Sequence, residues 1–188
     1  MINSRLKQLS AVLCALVLAS CAASLPYSAD YPLTDQTFRS RNGIFSGRVP
    51  RGWFSSAEDS IAPALEAWLI KDDLSSTLAV KELKLDQTSA HEVGEKGLQL
   101  LAQISFAMQR GISGKASMTA EPRDFEMREK KFCSYEVSDG GKRKRVVVFS
   151  GKGRYFECEA MVVKGSLSPE EILRMFTAQQ TMLSSLAF

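Results

Sequence analysis

Residues 146–149 are an unbroken apolar run, Val-Val-Val-Phe, between glycine-containing turns at residues 140–141 and 150–153. Short turns of this kind join neighbouring antiparallel strands. A strand with one face in water alternates apolar and polar residues, whereas a continuously apolar strand has to be covered on both faces. The run therefore predicts a central strand of an antiparallel sheet that is flanked by helices on both faces.

Hydrophobic alternation predicts further strands before and after this run. They lie at residues 44–49, 64–70, 77–85, 124–128, 132–137 and 155–163. Within residues 77–85 the apolar positions change parity between Val80 and Leu83, which predicts a β-bulge near Lys81.

Two helices are predicted from their capping residues. Ser89 and Glu92 have the spacing of a capping box, and the helical pattern that follows them ends at Gly111. The second helix has Ser168 at its N-cap and Pro169 at its first position. Strands and helices in this order indicate an α+β domain.

The first residues have the layout of a secretory leader. Two cations, Arg5 and Lys7, precede an apolar run at residues 11–19, and no acidic residue occurs before Asp30. As a helix this run would be about 14 Å long, roughly half of the ~30 Å hydrocarbon core, so it is too short to span a bilayer. Residues 1–20 are therefore predicted to be a cleaved signal peptide.

The leader ends in Leu18, Ala19, Ser20 and Cys21, which resembles the bacterial lipobox. The resemblance implies that Cys21 becomes the first residue of the mature chain and carries acyl chains such as palmitate. Several acyl chains hold a protein on a bilayer far more strongly than one. Ala22 in place of Asp implies the periplasmic face of the outer membrane rather than of the inner one. The alternative is that Cys21 is an unmodified residue near an ordinary cleavage site.

The segment after the leader is polar and contains Pro26 and Pro32. This composition predicts that residues 21–41 are a lipidated tether without a fold of its own. Residues 42–188 then form a single domain, which is long enough to bury a sizeable core.

The charge of the processed chain is close to zero. Of the 24 Lys and Arg residues, Arg5 and Lys7 are lost with the leader, so 22 cations remain against 21 acidic residues. Nucleic-acid-binding proteins gain much of their affinity from clustered cations that neutralise phosphates. The composition therefore argues against nucleic acid as a partner.

Few residues have the chemistry of a catalytic or metal site. His91 is the only histidine, and the pattern places it exposed in the first turn of a helix. Zinc sites need several Cys, His or acidic ligands at close spacing, and the sequence contains no G-x-S-x-G nucleophile motif. We therefore predict no catalytic residue, no metal and no cofactor, with a serine–lysine or carboxylate enzyme left as an alternative.

Two segments are candidates for contact with a partner or a membrane. The first contains Arg51 and Trp53, and Trp53 is either a core residue or an exposed partner anchor. The second, at residues 139–145, is either a solvated strand end or a cationic turn attracted to an anionic bilayer. Its cations are Lys142, Arg143, Lys144 and Arg145.

Cys133 and Cys158 are a candidate disulfide, because a secreted chain enters a compartment that permits such bonds. In the predicted meander, however, one strand lies between the two cysteines. Two strand spacings of about 4.8 Å give ~9.6 Å, which exceeds the ~7 Å limit between bridged Cα atoms. The pattern leaves both states open.

Residues 45–53, Phe-Ser-Gly-Arg-Val-Pro-Arg-Gly-Trp, lead from an aromatic strand into a proline–glycine–tryptophan corner. Together with the order of strands and helices, this segment resembles the PsbP-like family, many of whose bacterial members are small lipoproteins. The resemblance covers about residues 42–187. It implies an α/β/α sandwich and a protein that binds partner proteins without catalysing a reaction, and it implies no catalytic residue.

Three hypotheses for the function follow from these observations. The first is a membrane-anchored periplasmic lipoprotein that binds an envelope protein or assists envelope assembly, and a filled core with an exposed aromatic patch would favour it. The second is a carrier or sensor of a small apolar ligand, which an apolar cavity would favour. The third is a hydrolase, which a cleft with convergent acids or a serine–lysine pair would favour.

Overall fold

Nine strands and three helices make up residues 27–56 and 62–188, the part of the chain that the computed structural model describes. The strands are β1 (Leu33–Arg39), β2 (Ser46–Pro50), β3 (Trp53–Ser56), β4 (Ala67–Lys71), β5 (Ser76–Glu82), β6 (Ser117–Met127), β7 (Lys130–Asp139), β8 (Lys142–Gly151) and β9 (Arg154–Val162). The helices are α1 (Gln87–Lys96), α2 (Leu98–Ser113) and α3 (Pro169–Ser184). The predicted signal peptide and Cys21 lie outside the described residues.

Seven of the strands form one antiparallel sheet in the order β3-β4-β5-β9-β8-β7-β6. β1 and β2 pair antiparallel with each other in a separate two-stranded sheet. β7, β8 and β9 are the antiparallel meander that the glycine turns predict. The α+β class with an antiparallel sheet is therefore confirmed.

The buried apolar side chains fall into two clusters that meet the sheet from different sides. Val147 and Phe149 of β8 belong to a cluster that includes Phe176 of α3. Val148, which lies between them along the strand, belongs to a second cluster that includes Leu101 of α2. Because successive side chains of a strand point to opposite faces, the two clusters lie on opposite faces of β8.

The first helical region begins and ends differently from the prediction. Asp86, and not Ser89, is the N-cap, because its side chain accepts a hydrogen bond from the Ser89 amide. Gly97 has a positive φ of 83°, which ends α1 and lets α2 begin at the next residue. The predicted single helix is therefore two. The start of α3 is confirmed, with a complete capping box between Ser168 and Glu171.

The predicted bulge near Lys81 is wrong. β5 pairs with β9 in unbroken register from Ser76 opposite Val162 to Glu82 opposite Phe156. The change of apolar parity has a different cause: Val80 points to the cluster on the α3 side, whereas Leu83, just beyond the strand, belongs to the cluster on the α2 side.

The folded unit begins earlier than residue 42. Leu33–Arg39 forms β1 instead of a tether, and Phe38, which is 5% exposed, joins the cluster on the α3 side. The sequence of β1, LTDQTFR, has only two large apolar residues, Leu33 and Phe38. The polar residues between them are mostly exposed, so the strand shows no apolar alternation. Its order comes from pairing with β2, which a local pattern does not display.

Cys133 and Cys158 are free thiols in this structure. β8 lies between their strands, and Cys133 belongs to the cluster on the α2 side whereas Cys158 belongs to the cluster on the α3 side. Each residue is 0% exposed, and burial is the main cause that raises the pKa of both thiols to about 12. The candidate disulfide is therefore not formed, because the two sulfur atoms lie on opposite faces of the sheet.

Candidate functional site

One face of the strands β3, β4 and β5 has no helix packed on it among the described residues. Trp53 and Leu69 of β3 and β4 point into the cluster on the α3 side, so Phe54 and Ile70 point to the opposite face. On that opposite face, α2 packs against β6, β7 and β8 at the other end of the sheet. Among residues 27–56 and 62–188, no helix therefore covers this end of the face.

Apolar side chains occupy the uncovered face in two cross-strand rows. In the first row Phe54 lies opposite Ile70, and Thr77 lies between Ile70 and Met161. In the second row Trp68 lies opposite Ala79. We define the apolar patch by its four large side chains, which are Phe54, Trp68, Ile70 and Met161.

The large side chains of the patch are accessible to a partner, whereas the smaller Thr77 and Ala79 in the same rows are 4% and 9% exposed. Phe54 is 40% exposed, and the other three large side chains are half-buried. Met108 and Ile112, both exposed, lie on α2 beside Gln109, which reaches the same sheet through Glu159. Aromatic residues and methionine are enriched at protein–protein interfaces, and contiguous exposed apolar side chains mark such sites.

A cluster of charged and polar side chains separates the patch from the part of the sheet that α2 covers. We define this ion cluster by its members, which are Lys81, Ser105, Gln109, Tyr135, Lys144, Glu157 and Glu159. On the sheet, Lys81 lies opposite Glu157, and Ala79 of the patch row lies opposite Glu159. The cluster therefore forms the border of the patch.

Two buried carboxylates share one lysine at the centre of the ion cluster. Glu157 is 1% exposed and Glu159 is 7% exposed. Lys81 Nζ lies 2.5 Å from Glu157 Oε1 and 2.8 Å from Glu159 Oε1. The contact with Glu159 is a hydrogen bond, whereas the contact with Glu157 is an ion pair without hydrogen-bond alignment. Because buried carboxylates are costly without a cation, Lys81 stabilises both of them.

Helix α2 completes the ion cluster with hydrogen bonds from its inner side. The Ser105 hydroxyl donates to Glu157, and the Tyr135 hydroxyl donates to Ser105 Oγ over 2.6 Å. Burial raises the pKa of the Tyr135 phenol. Gln109 Nε2 donates to Glu159 Oε1 over 3.3 Å. Since Ser105 is 0% exposed, its hydroxyl is not open to a substrate in this structure.

The sequence interpretation missed the ion cluster, although a signal was present. Strand β9 reads RYFECEAMV, with Glu157 and Glu159 two residues apart in an otherwise apolar stretch. Alternate residues of a strand share a face, so the spacing places both carboxylates side by side. The position of Lys81 opposite them depends on the pairing of β5 with β9.

Trp53 is a core residue, so its proposed role as an exposed partner anchor is wrong. It is 4% exposed and packs in the cluster on the α3 side, after a corner in which Gly52 has a positive φ of 78°. Arg51 is exposed, and its carbonyl accepts a hydrogen bond from the Tyr31 hydroxyl.

The four cations of the turn at residues 139–145 do not form one contact surface, because β8 begins at Lys142 and its side chains alternate between faces. Lys144 pairs with Asp139 at 3.1 Å. Arg143 pairs with Glu136 at 2.6 Å. Arg145 is 7% exposed, and its guanidinium lies over the rings of Tyr27 and Phe176. Only Lys142 and Arg143 are exposed.

Other candidate sites are less developed in the structure. His91 is exposed on α1, and within the described ranges no three Cys, His or acidic side chains are grouped as metal ligands. A surface groove of about 490 Å³ lies beside Trp68, and its lining includes Arg39, Arg41 and Glu66. The groove therefore has a charged wall, unlike the apolar cavity that a carrier of apolar ligands would need. No helix in the described part of the chain is long and apolar enough to cross a bilayer.

Comparison with known proteins supports the fold. No protein-family model matches the chain, and no curated protein matches it either. Among solved structures, cyanobacterial PsbP (CyanoP) from Synechocystis sp. PCC 6803 is 11% identical with a TM-score of 0.52, over 81% of this chain and 91% of that one. This similarity shows that the chain has a PsbP-like fold.

Two further solved structures are similar at lower TM-scores. The Ran-binding protein Mog1p from Saccharomyces cerevisiae is 10% identical with a TM-score of 0.49, over 82% of this chain and 95% of that one. LpqN from Mycobacterium tuberculosis, a protein involved in cell envelope biogenesis, is 13% identical with a TM-score of 0.43, over 76% of this chain and 82% of that one.

Proposed function

We propose that this chain is a lipid-anchored, non-catalytic module of the bacterial envelope that binds a partner protein through the apolar patch. Cys21 carries the anchor, and the folded domain lies on the periplasmic side, with the outer membrane favoured over the inner one. The observation that carries the proposal is the apolar patch itself, on a face of β3, β4 and β5 against which no helix of the described residues packs and where Phe54 is 40% exposed.

Three features of the patch favour a protein partner. Its large side chains are aromatic, branched aliphatic and thioether groups, the types that interfaces select. It is an open sheet face rather than a closed pocket, so it suits a partner with an extended surface. The ion cluster beside it presents the partly exposed Lys81 and Lys144, which supply a polar border on one side of the apolar centre.

Photo-crosslinking in the native envelope tests the role of the patch. A photoreactive phenylalanine analogue at position 54 should give discrete crosslinked species, whereas the same residue at position 173 should not. Leu173 is the matched control, because it is 38% exposed but lies on α3, at the other face of the sheet. Equal crosslinking from both positions would refute the patch as the binding surface.

A comparison of two substituted chains gives the size of the contribution of Phe54 to binding. For this measurement the photoreactive residue is placed at another position of the patch. We expect Phe54→Ser to reduce recovery of the crosslinked partner by about tenfold or more, since an interface anchor contributes ~2 kcal/mol or more. Leu173→Ser should leave recovery unchanged. Both substitutions affect exposed side chains, so the thermal unfolding temperature of each variant should stay close to that of the unchanged chain.

Intact-mass spectrometry tests the anchor separately. In chain purified from bacterial membranes, we expect Cys21 to be the first residue and to carry a diacylglycerol with or without an N-linked acyl chain. Cys21→Ala should be recovered in the soluble fraction. An unmodified Cys21 thiol, or a mature chain that starts at another residue, would exclude the anchor and leave the patch to be judged by crosslinking alone.

A further inference from the structure

The described chain begins with a tyrosine that is packed against the domain. The Tyr27 ring stacks on Phe125 of β6, with ring centroids 3.9 Å apart and planes 4° from parallel. Its hydroxyl is 2.8 Å from Ser134 Oγ, and the Arg145 guanidinium lies 5.1 Å from its ring centroid. Stacking, a hydrogen bond and a cation–π contact together fix the position of Tyr27.

The residues after Tyr27 cross α3 near Gln180 and Thr181. The Ser28 amide donates to Gln180 Oε1 over 3.0 Å, and the Tyr31 amide donates to Thr181 Oγ1 over 3.1 Å. The chain therefore enters the domain beside β6, at one edge of the seven-stranded sheet, and continues along the α3 side.

Covalent length limits the distance between this entry point and the lipid anchor. Tyr27 is six residues after Cys21. A chain spans at most about 3.5 Å per residue, so six residues span no more than roughly 21 Å. The limit holds for any conformation of the intervening residues.

We infer that the docked Tyr27 holds the β6 edge of the sheet next to the bilayer and directs the apolar patch away from it. β6 and β3 are the two edges of the sheet, and six strand spacings of about 4.8 Å place them roughly 29 Å apart. Phe54 lies on β3 and on the face opposite to α3, so this end of the patch is separated from Tyr27 both across the strands and through the sheet. This inference rests on the proposed lipid anchor at Cys21.

The partner contacts therefore divide between two ends of the domain. The bilayer meets the β6 edge. The exposed side chains of this edge carry charges of both signs, for example on Arg123 and Glu126, so the length of the tether, and not electrostatic attraction, determines which edge lies next to the bilayer. The protein partner approaches the patch from the aqueous side. A partner lying flat on the same membrane surface would not reach Phe54.

Energy transfer to lipid headgroups tests this orientation. The full chain, bearing either Glu126→Cys or Ser55→Cys, is purified from bacterial membranes in its acylated form, labelled with a thiol-reactive donor and placed in phosphatidylethanolamine–phosphatidylglycerol vesicles with a headgroup acceptor. Cys133 and Cys158 are each 0% exposed, so the donor reacts with the introduced cysteine. Because the two edges lie roughly 29 Å apart, we expect transfer from position 126 to exceed transfer from position 55 by about twofold or more.

A substitution of Tyr27 tests its role in the orientation. Tyr27→Ala removes the stacking, hydroxyl and cation–π contacts, which leaves the hydrogen bond of the Ser28 amide to hold the chain ahead of Tyr31. When that bond opens, the next fixed residue is Tyr31, ten residues after Cys21, and a chain of that length reaches roughly 35 Å. The difference in transfer between the two labels should then fall by about half or more. Tyr27→Phe keeps the stacked ring and should keep most of the difference.

The outcomes separate this inference from the proposal on which it rests. Equal transfer from the two positions in acylated, otherwise unchanged chain would overturn the orientation while leaving the anchor in place. An unchanged difference in Tyr27→Ala would overturn the role of Tyr27. If the recovered chain carried no acyl groups on Cys21, both the proposed anchor and the inferred orientation would be overturned. The comparison of the two labels does not depend on the Tyr27 variants.

Discussion

Replacing Lys81 with methionine should lower the free energy of unfolding by about 3–5 kcal/mol. Lys81 Nζ is the cation shared by Glu157 and Glu159, which are 1% and 7% exposed. Methionine keeps most of the side-chain length but removes the charge. Glu157 would then be buried without a counter-ion, and Glu159 would keep only Lys144, whose Nζ lies 4.0 Å from Glu159 Oε2. Urea denaturation of the purified domain measures the change.

The same substitution at an exposed ion pair provides the control. Lys96 pairs with Glu92 across one helical turn of α1, at 3.0 Å, with both side chains well exposed. Lys96→Met should change the free energy of unfolding by about 0.5 kcal/mol or less, because water screens such pairs. A Lys81→Met effect as small as that of Lys96→Met would contradict the view that the ion cluster depends on Lys81.

Replacing Phe45 with alanine should also cost about 3–5 kcal/mol. Phe45 is 2% exposed, and its ring meets Phe38 and Phe149 edge-on at centroid distances of 6.5 and 6.2 Å. Phe156 and the C-terminal Phe188 meet the same ring at 5.3 and 6.3 Å. The cavity left by alanine would lie where the β1–β2 sheet joins the seven-stranded sheet.

Phe54→Ala is the matched control for this prediction, since Phe54 is 40% exposed on the edge strand β3. Its truncation should cost about 1 kcal/mol, much less than that of Phe45, because a large part of the Phe54 side chain is already in contact with water and its loss leaves no closed cavity in the core. Urea denaturation measures the free energy of unfolding of both variants. Equal losses for Phe45→Ala and Phe54→Ala would show that the aromatic rings around Phe45 do not hold the two-stranded sheet. A small loss for Phe54→Ala would also show that Phe54 can be changed in binding experiments without unfolding the domain.

Features that depend on a few neighbouring residues could be predicted from the sequence. The apolar run at residues 146–149, between two glycine turns, predicted the meander of β7, β8 and β9. Ser168 and Pro169 predicted the start of α3, because a capping box uses residues three apart. The predicted start of the first helix at Ser89 was wrong, because Asp86, three residues earlier, caps the helix instead.

The candidate site could not be predicted in the same way. The apolar patch exists because β3 pairs with β4 and because α2 packs at the other end of the sheet, so that no helix in the described part of the chain covers its side chains. The ion cluster joins Lys81 to Glu159, which is 78 residues away, and Tyr27 meets Ser134 across 107 residues. Neither contact leaves a periodic pattern in the sequence.

By itself, the amino-acid sequence determined the class of the fold, the meander, the start of the last helix and the small net charge of +3. These follow from alternation, capping and composition, which act over a few residues or over the whole chain. Only the tertiary structure decided that Trp53 is buried, that Cys133 and Cys158 lie on opposite faces, and which face of the sheet stays open. The physical reason is that burial depends on which distant segments pack together, and many pairings of the same strands satisfy the same local pattern.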